Sequence, residues 1–201
     1  MPVKAMEDLF VEKLRDIHDA ERRILRALPK MVKAASSEEL SSAFEEHLQQ
    51  TEGHVTRLEQ IFDTLGKPPT RKSCHGMMGI LEEGEETMGK DVPEAVLDAA
   101  LIAAAQEVEH YEIGAYGTLR TWAELMGQEQ IARLLQETLQ EEEETDEKLT
   151  QLAEPINAQA LEQSMSQEQG EEETVGAGRR SSSGHRGGHG RSASRSSRST
   201  R

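Results

Sequence analysis

Read at alternating three- and four-residue steps, four long segments of the chain each show a single apolar stripe. From about Ala5 to Ala35 it runs Phe10, Leu14, Ile17, Glu21, Ile24, Leu28, Met31; from Ser36-Ser37 to Leu65 it runs His47, Gln50 or Thr51, His54, Leu58, Ile61, Leu65. From Pro93 to Gly127 it reads Ile102, Ala105, Glu109, Glu112, Tyr116, Leu119, Ala123, Met126; from there to about Glu154 it reads Leu135, Leu139, Glu142, Asp146, Leu149, Ala153. The period is helical, and no alternating strand pattern competes with it. Boundaries are signalled locally. Ser36-Ser37 before Glu38-Glu39 is an N-cap signature, and Gly66-Lys67-Pro68-Pro69 ends a helix. Pro93 suits a first turn, Pro29 predicts an irregularity late in helix 1, and Pro155 is expected to break helix 4.

Between the second and third segments lies a long connection, residues 66–92, expected to hold one short helix around Met77–Thr87. Two tight helical hairpins joined by one long crossover predict an all-α fold, an antiparallel ferritin-like four-helix bundle over residues 1–160. Residues 161–201 turn to Gln, Ser, Gly and Arg and are expected to form a disordered tail, because they cannot bury enough apolar area to order themselves.

Three of the stripes are apolar at both ends and acidic in the middle. Glu21, Glu109, Glu112, Glu142 and Asp146 fall at positions that must face the core, where an unpaired carboxylate costs several kcal/mol. No Lys or Arg occupies the stripes at those levels. Cations or protons must therefore compensate them, and oxygen-rich ligation suits iron or manganese. The heights agree too. Counting equal rise from the turn at Ser36-Ser37 sets Glu21 opposite Gln50, Thr51 and His54, and counting from Gly127 sets Glu112 opposite Glu142 and Glu109 beside Asp146. The expected metal ligands are Glu21, His54, Glu109, Glu112, Glu142 and Asp146, with Glu109 and Glu142 bridging two divalent ions. Gln50 and Thr51 are expected beside them. His47, about 10 Å along the axis from His54, is expected at the periphery or mouth. His110 points off its stripe. Glu141 to Glu144 read as a solvated acidic face, of which Glu142 alone turns inward.

The net charge of −15 conceals two opposed parts. Residues 178–201 hold seven arginines and no acid; removing that +7 leaves −22 on residues 1–177, a body that repels nucleic acid and anionic membrane and attracts cations. Arginines among Ser and Gly, without aromatics, give nucleic acid only salt-sensitive attraction. The single cysteine, Cys74, permits no intrachain disulfide and reads as a structural thiol. Met1 to Leu9 has no apolar run of a signal peptide, and no stretch nears the roughly 20 apolar residues of a membrane span, so a soluble cytoplasmic protein is expected.

Several segments resemble one known family: Ala20-Glu21, Ala27-Leu28-Pro29-Lys30, Ala43-Phe44 with His47-Leu48, Arg57-Leu58-Glu59, Ala99 to Gln106, Val108-Glu109-His110-Tyr111-Glu112-Ile113, Tyr116 to Leu119, Glu137-Thr138-Leu139 and Thr145-Asp146. Residues 5–156 look like the YciE/YciF ferritin-like family. The resemblance implies a bacterial stress-associated homodimer with a di-iron, ferroxidase-type centre. The general di-iron pattern has one Glu on each of two helices and Glu-x-x-His on each of the other two. This chain keeps Glu21 but has Gln50 and His54 on helix 2, Glu109-x-x-Glu112 on helix 3 and Glu142-x-x-x-Asp146 on helix 4. The function expected is oxidation of Fe(II), or handling of peroxide, at a dinuclear iron or manganese site. The alternative is a non-enzymatic dimeric scaffold with a structural ion or none.

Overall fold

A computed structural model describes residues 5–70 and 72–181, with side chains through residue 166. Its helices are α1 (Met6–Ala34), α2 (Glu38–Leu65), α3 (His75–Met88), α4 (Glu94–Leu125) and α5 (Glu129–Ser181). No strand occurs among the described residues. None of the helices is long and apolar enough to cross a membrane. The chain divides into two units, residues 1–164 and 165–201, and the first contains the bundle and the sites described below.

Local chemistry sets the helix ends. Asp8 accepts a hydrogen bond from the Ala5 backbone N–H at 3.2 Å, and Ser37 Oγ accepts from Leu40 N–H at 3.2 Å, each occupying a donor that helix geometry leaves free. Gly66 and Gly127 adopt φ of 62° and 71°, the left-handed conformation that lets α2 and α4 close on their own last carbonyls. Cys74 is wholly buried and caps α3, its Sγ accepting from Met77 N–H and lying 3.0 Å from Tyr111 Oη, so the thiol is structural.

The expected irregularity at Pro29 leaves α1 unbroken to Ala34. The expected break at Pro155 does not occur. Pro155 and Gln151, whose carbonyl the ring frees, are both exposed, so water can satisfy that carbonyl while Ile156 and Ala160 stay buried beyond the proline. The backbone remains helical over 161–181, where a disordered tail was expected; the rest of that tail, 182–201, lies outside the described residues.

The apolar stripes pack into one core, including Phe10, Leu14, Ile17, Phe44, Leu58, Phe62, Leu101, Tyr116, Leu119 and Leu135. α1 lies against α2, α3 and α4, and α3 covers α4 within the crossover. The α1–α2 turn is tied to α4 by one buried carboxylate. Asp98 accepts from Ser36 N–H at 2.8 Å, Ser36 Oγ–H at 2.6 Å and Ser37 N–H at 2.9 Å.

Candidate metal centre

Midway along the bundle, six buried side chains converge from four helices. Glu21 comes from α1, His47 and His54 from α2, Glu109 and Glu112 from α4, and Glu142 from α5; none is more than 3 % exposed. They form two groups, each with ligand-type atoms within 4.8 Å of one another: Glu21, His54 and Glu142; and His47, Glu109, Glu112 and Glu142. Glu142 belongs to both.

In the first group His54 Nδ1 stands 3.0 Å from Glu142 Oε1 and 3.5 Å from Glu21 Oε1. Tyr116 donates its hydroxyl hydrogen to Glu21 Oε1. The far side of His54 is fixed as well: Nε2 lies 2.8 Å from Glu141 Oε2, and Arg57 grips Glu141 with both terminal nitrogens at 2.8 and 2.6 Å. A carboxylate on one imidazole nitrogen aims the other, which is how outer groups orient metal-ligating histidines. In the second group His47 Nε2 lies 3.3 Å from Glu109 Oε1, and its Nδ1 lies 4.0 Å from Glu142 Oε2.

Electrostatics follow from burial without donors. Burial first, then the neighbouring Glu142, pushes Glu109 well above the usual carboxylate range; burial and then Glu21 do the same to Glu112. Glu21 is raised by burial, with His54 opposing. Burial holds His47 low. His54 is also opposed by burial, yet the close carboxylates of Glu142 and Glu21 outweigh it and push the imidazole up to about 11. Burial disfavours ionised Glu141, but Arg57 holds it below its ordinary value. Even so, among the described residues nine buried nitrogen and oxygen atoms of the six side chains have no hydrogen-bond partner, including both oxygens of Glu112 and both of Glu142.

Of the expected ligands, the structure brings together Glu21, His54, Glu109, Glu112 and Glu142. Asp146 is the exception. It turns toward the outer side of α4, accepting from Gln106 Nε2 at 3.2 Å with His110 Nε2 at 3.3 Å, and joins neither group. His47, expected at the periphery, is a member instead: its ring centroid is only 6.3 Å from that of His54, because both imidazoles lean toward Glu142 from positions seven residues apart. Thr51 is wholly buried but bonds its own helix, donating to His47 O at 2.8 Å. Gln50 accepts from Thr145 Oγ1 at 3.4 Å and lines the same cavity as His47 and Glu109. Glu141, read in sequence as part of a solvated face, is the residue that orients His54.

A cavity of about 200 Å³ adjoins His47 and Glu109, with Ile24, Leu28, Phe44 and Val108 in its walls. An ion pair between Lys148 of α5 and Glu46 of α2 lies at its exposed rim.

Comparison with known proteins agrees with this architecture. The family model described as a domain of unknown function, DUF892, matches residues 5–169. Protein YciF of Escherichia coli (strain K12) is 46 % identical over 154 residues, 76 % of this chain and 93 % of that protein. The crystal structure of the E. coli stress protein YciF superimposes with a TM-score of 0.76 at 45 % identity, covering 78 % of this chain and 99 % of that one. Ferritin-like, diiron-carboxylate proteins of Bacillus anthracis strain Ames share the fold at a TM-score of 0.59 and 17 % identity, over 75 % of this chain and 99 % of theirs.

Proposed function

This chain belongs to the DUF892 family, alongside YciF, and from that premise we propose that its buried His/Glu cluster holds two divalent ions, iron or manganese, and oxidises Fe(II) with O₂ or peroxide. The observation that carries the reading is the set of nine buried nitrogen and oxygen atoms without a hydrogen-bond partner among the described residues, on six side chains that form two groups sharing Glu142. Leaving buried polar groups unsatisfied costs about 1–3 kcal/mol apiece, more for charged ones, so a bundle with no ligand there would be under considerable strain. The donor set fits such ions. Four carboxylates match the charge of two divalent cations, and mixed oxygen and imidazole ligation with no thiolate suits iron and manganese.

In this reading Glu142 is the shared ligand, Glu21 and His54 complete one position, and His47, Glu109 and Glu112 complete the other. Bound iron or manganese would supply the electron transfer to the oxidant; the protein's part is positioning. The Glu141–Arg57 pair keeps His54 Nδ1 aimed inward, the Tyr116 hydroxyl fixes one oxygen of Glu21, and the apolar walls beside His47 keep water scarce. Metal content of the purified protein by mass spectrometry, with an Fe(II) oxidation assay, tests this. About two iron or manganese ions per chain are expected, with metal content and oxidation both lost in a Glu109→Gln/Glu142→Gln double variant. Metal-free protein that takes up no ion on reconstitution would sink the proposal.

A further inference from the structure

The outer face of α1 carries charge opposite to that of the chain as a whole. Arg15, His18, Arg22 and Arg26 follow one another at three- and four-residue steps, with Asp19 and Arg23 beside them. That spacing keeps them on one face, over about 16 Å of helix. Pro69, Thr70, Lys72 and Ser73 of the connection between α2 and α3 supply the opposing wall, and the two enclose a cavity of about 320 Å³. Its lining holds five cations, Arg15, Arg22, Arg23, Arg26 and Lys72, against one carboxylate, Asp19, although the chain bears a net −15.

Some of this charge is already engaged. Arg23 Nε pairs with Asp19 at 2.6 Å, and Asp19 also accepts from Cys74 N–H at 2.9 Å. Lys72 reaches Glu12 at 2.9 Å and Asp16 at 3.7 Å. Arg15 donates through one terminal nitrogen to Pro68 O at 3.3 Å. Arg22 and Arg26 make no hydrogen bond or ion pair among the described residues.

Independently, the floor of the cavity holds donors with nothing to bind. His18 is 7 % exposed, its ring set edge-on against Phe62 with centroids 5.8 Å apart, and its Nε2 has no hydrogen-bond partner among the described residues. Glu59 Oε1 stands 3.7 Å away, too far to serve as one. Burial, then Arg22, keeps this imidazole below its ordinary pKa, so a neutral ring can offer one N–H. Arg15 Nε is likewise buried and unpartnered. A buried donor left unpaired costs free energy that an anion in the cavity would remove.

We infer that this pocket binds a small polyphosphate anion, held by Arg22 and Arg26 at its rim and by Arg15 and His18 at its floor. Guanidinium forks match phosphate oxygens in pairs, and several cations over a long groove favour a multiply charged ligand over a single carboxylate. An extended nucleic acid fits less well, since the described lining has no Phe, Tyr or Trp for base stacking, the His18 ring is buried edge-on against Phe62, and the surrounding body is acidic. The site is independent of the metal centre.

Calorimetric titration of the full chain with pyrophosphate at low ionic strength tests the inference, with citrate and a single-stranded oligonucleotide as comparison ligands. Pyrophosphate should bind, and R22A/R26A should weaken it at least about tenfold while leaving melting temperature and metal content unchanged, because both side chains are exposed and unpaired. The His18 imidazole resonances should shift on adding pyrophosphate to the parent protein and not to R22A/R26A. Absence of pyrophosphate binding, equal binding by R22A/R26A, or citrate binding as tightly as pyrophosphate would each overturn it. So would tighter binding of the oligonucleotide, with the salt dependence of a long phosphate backbone.

Discussion

Asp98 and Glu112 sit on the same helix and the same side of it, about four turns apart, and both are buried, 2 % and 0 % exposed. Asp98 accepts three hydrogen bonds from the Ser36–Ser37 turn, so the protein itself compensates its burial. Glu112 receives none at either oxygen and is surrounded by Glu21, Glu109 and Glu142. One carboxylate is buried to hold two helices and a turn in place. The other has no hydrogen-bond partner among the described residues. Burial alone therefore says little about an acid's role; what matters is whether donors were built around it.

The largest test of that contrast is to supply the missing partner. Adding Fe(II) or Mn(II) to chelated protein should raise the melting temperature, by the equivalent of about 4 kcal/mol when free metal is a thousandfold above its dissociation constant. Glu109→Gln or Glu142→Gln should remove that gain in scanning calorimetry, whereas Asp98→Ala should keep it. A melting temperature indifferent to metal would erase the distinction between the two sites.

Next in size is the loss of a satisfied carboxylate. Asp98→Ala strands three donors at a turn and should cost about 3 kcal/mol in urea unfolding. Glu112→Gln in metal-free protein should be neutral or stabilising by about 1 kcal/mol, since an amide cannot ionise at a position where nothing would pair the charge. Equal destabilisation by both would mean that Glu112 has structural partners after all.

The smallest effect is a slope with pH. Glu109 and Glu112 are raised in the fold above their unfolded values, so the unfolded chain releases protons first and stability falls as pH rises through and beyond the ordinary carboxylate range. His54, raised to about 11, acts in the same direction above its unfolded value of 6.5. Metal-free protein should thus lose melting temperature from mildly acidic to alkaline pH. Loaded protein should not, because metal binds the deprotonated ligands. A metal-free form that gains stability over that interval would contradict the arrangement.

Much of this was legible in the chain. The acids at Glu21, Glu109, Glu112 and Glu142 stood out because helical period alone assigns them to the core, and counting residues from two turns put them and His54 at one height. Asp146 misled for the same reason: a stripe of alternating threes and fours drifts about the axis, and one turn past Glu142 it has rotated toward Gln106 and His110. His47 was placed too far out because distance along the axis was measured between backbones, whereas long side chains converge. Glu141 and Arg57 gave no signal, since a charge beside a core position looks solvated until its partner across the helix interface is known. Pro155 shows the converse, a local rule overridden where the freed carbonyl can meet water.

Glu142 alone is shared by both ligand groups. A carboxylate shared by two positions would make the occupancies of two ions interdependent: the first to arrive would fix its rotamer, and the second would meet a site already prepared. Thermodynamic linkage then requires each ion to change the other's affinity by the same factor. The loading curve of such a pair departs from that of two independent sites, and replacing this one glutamate would alter the curve's shape as well as its midpoint.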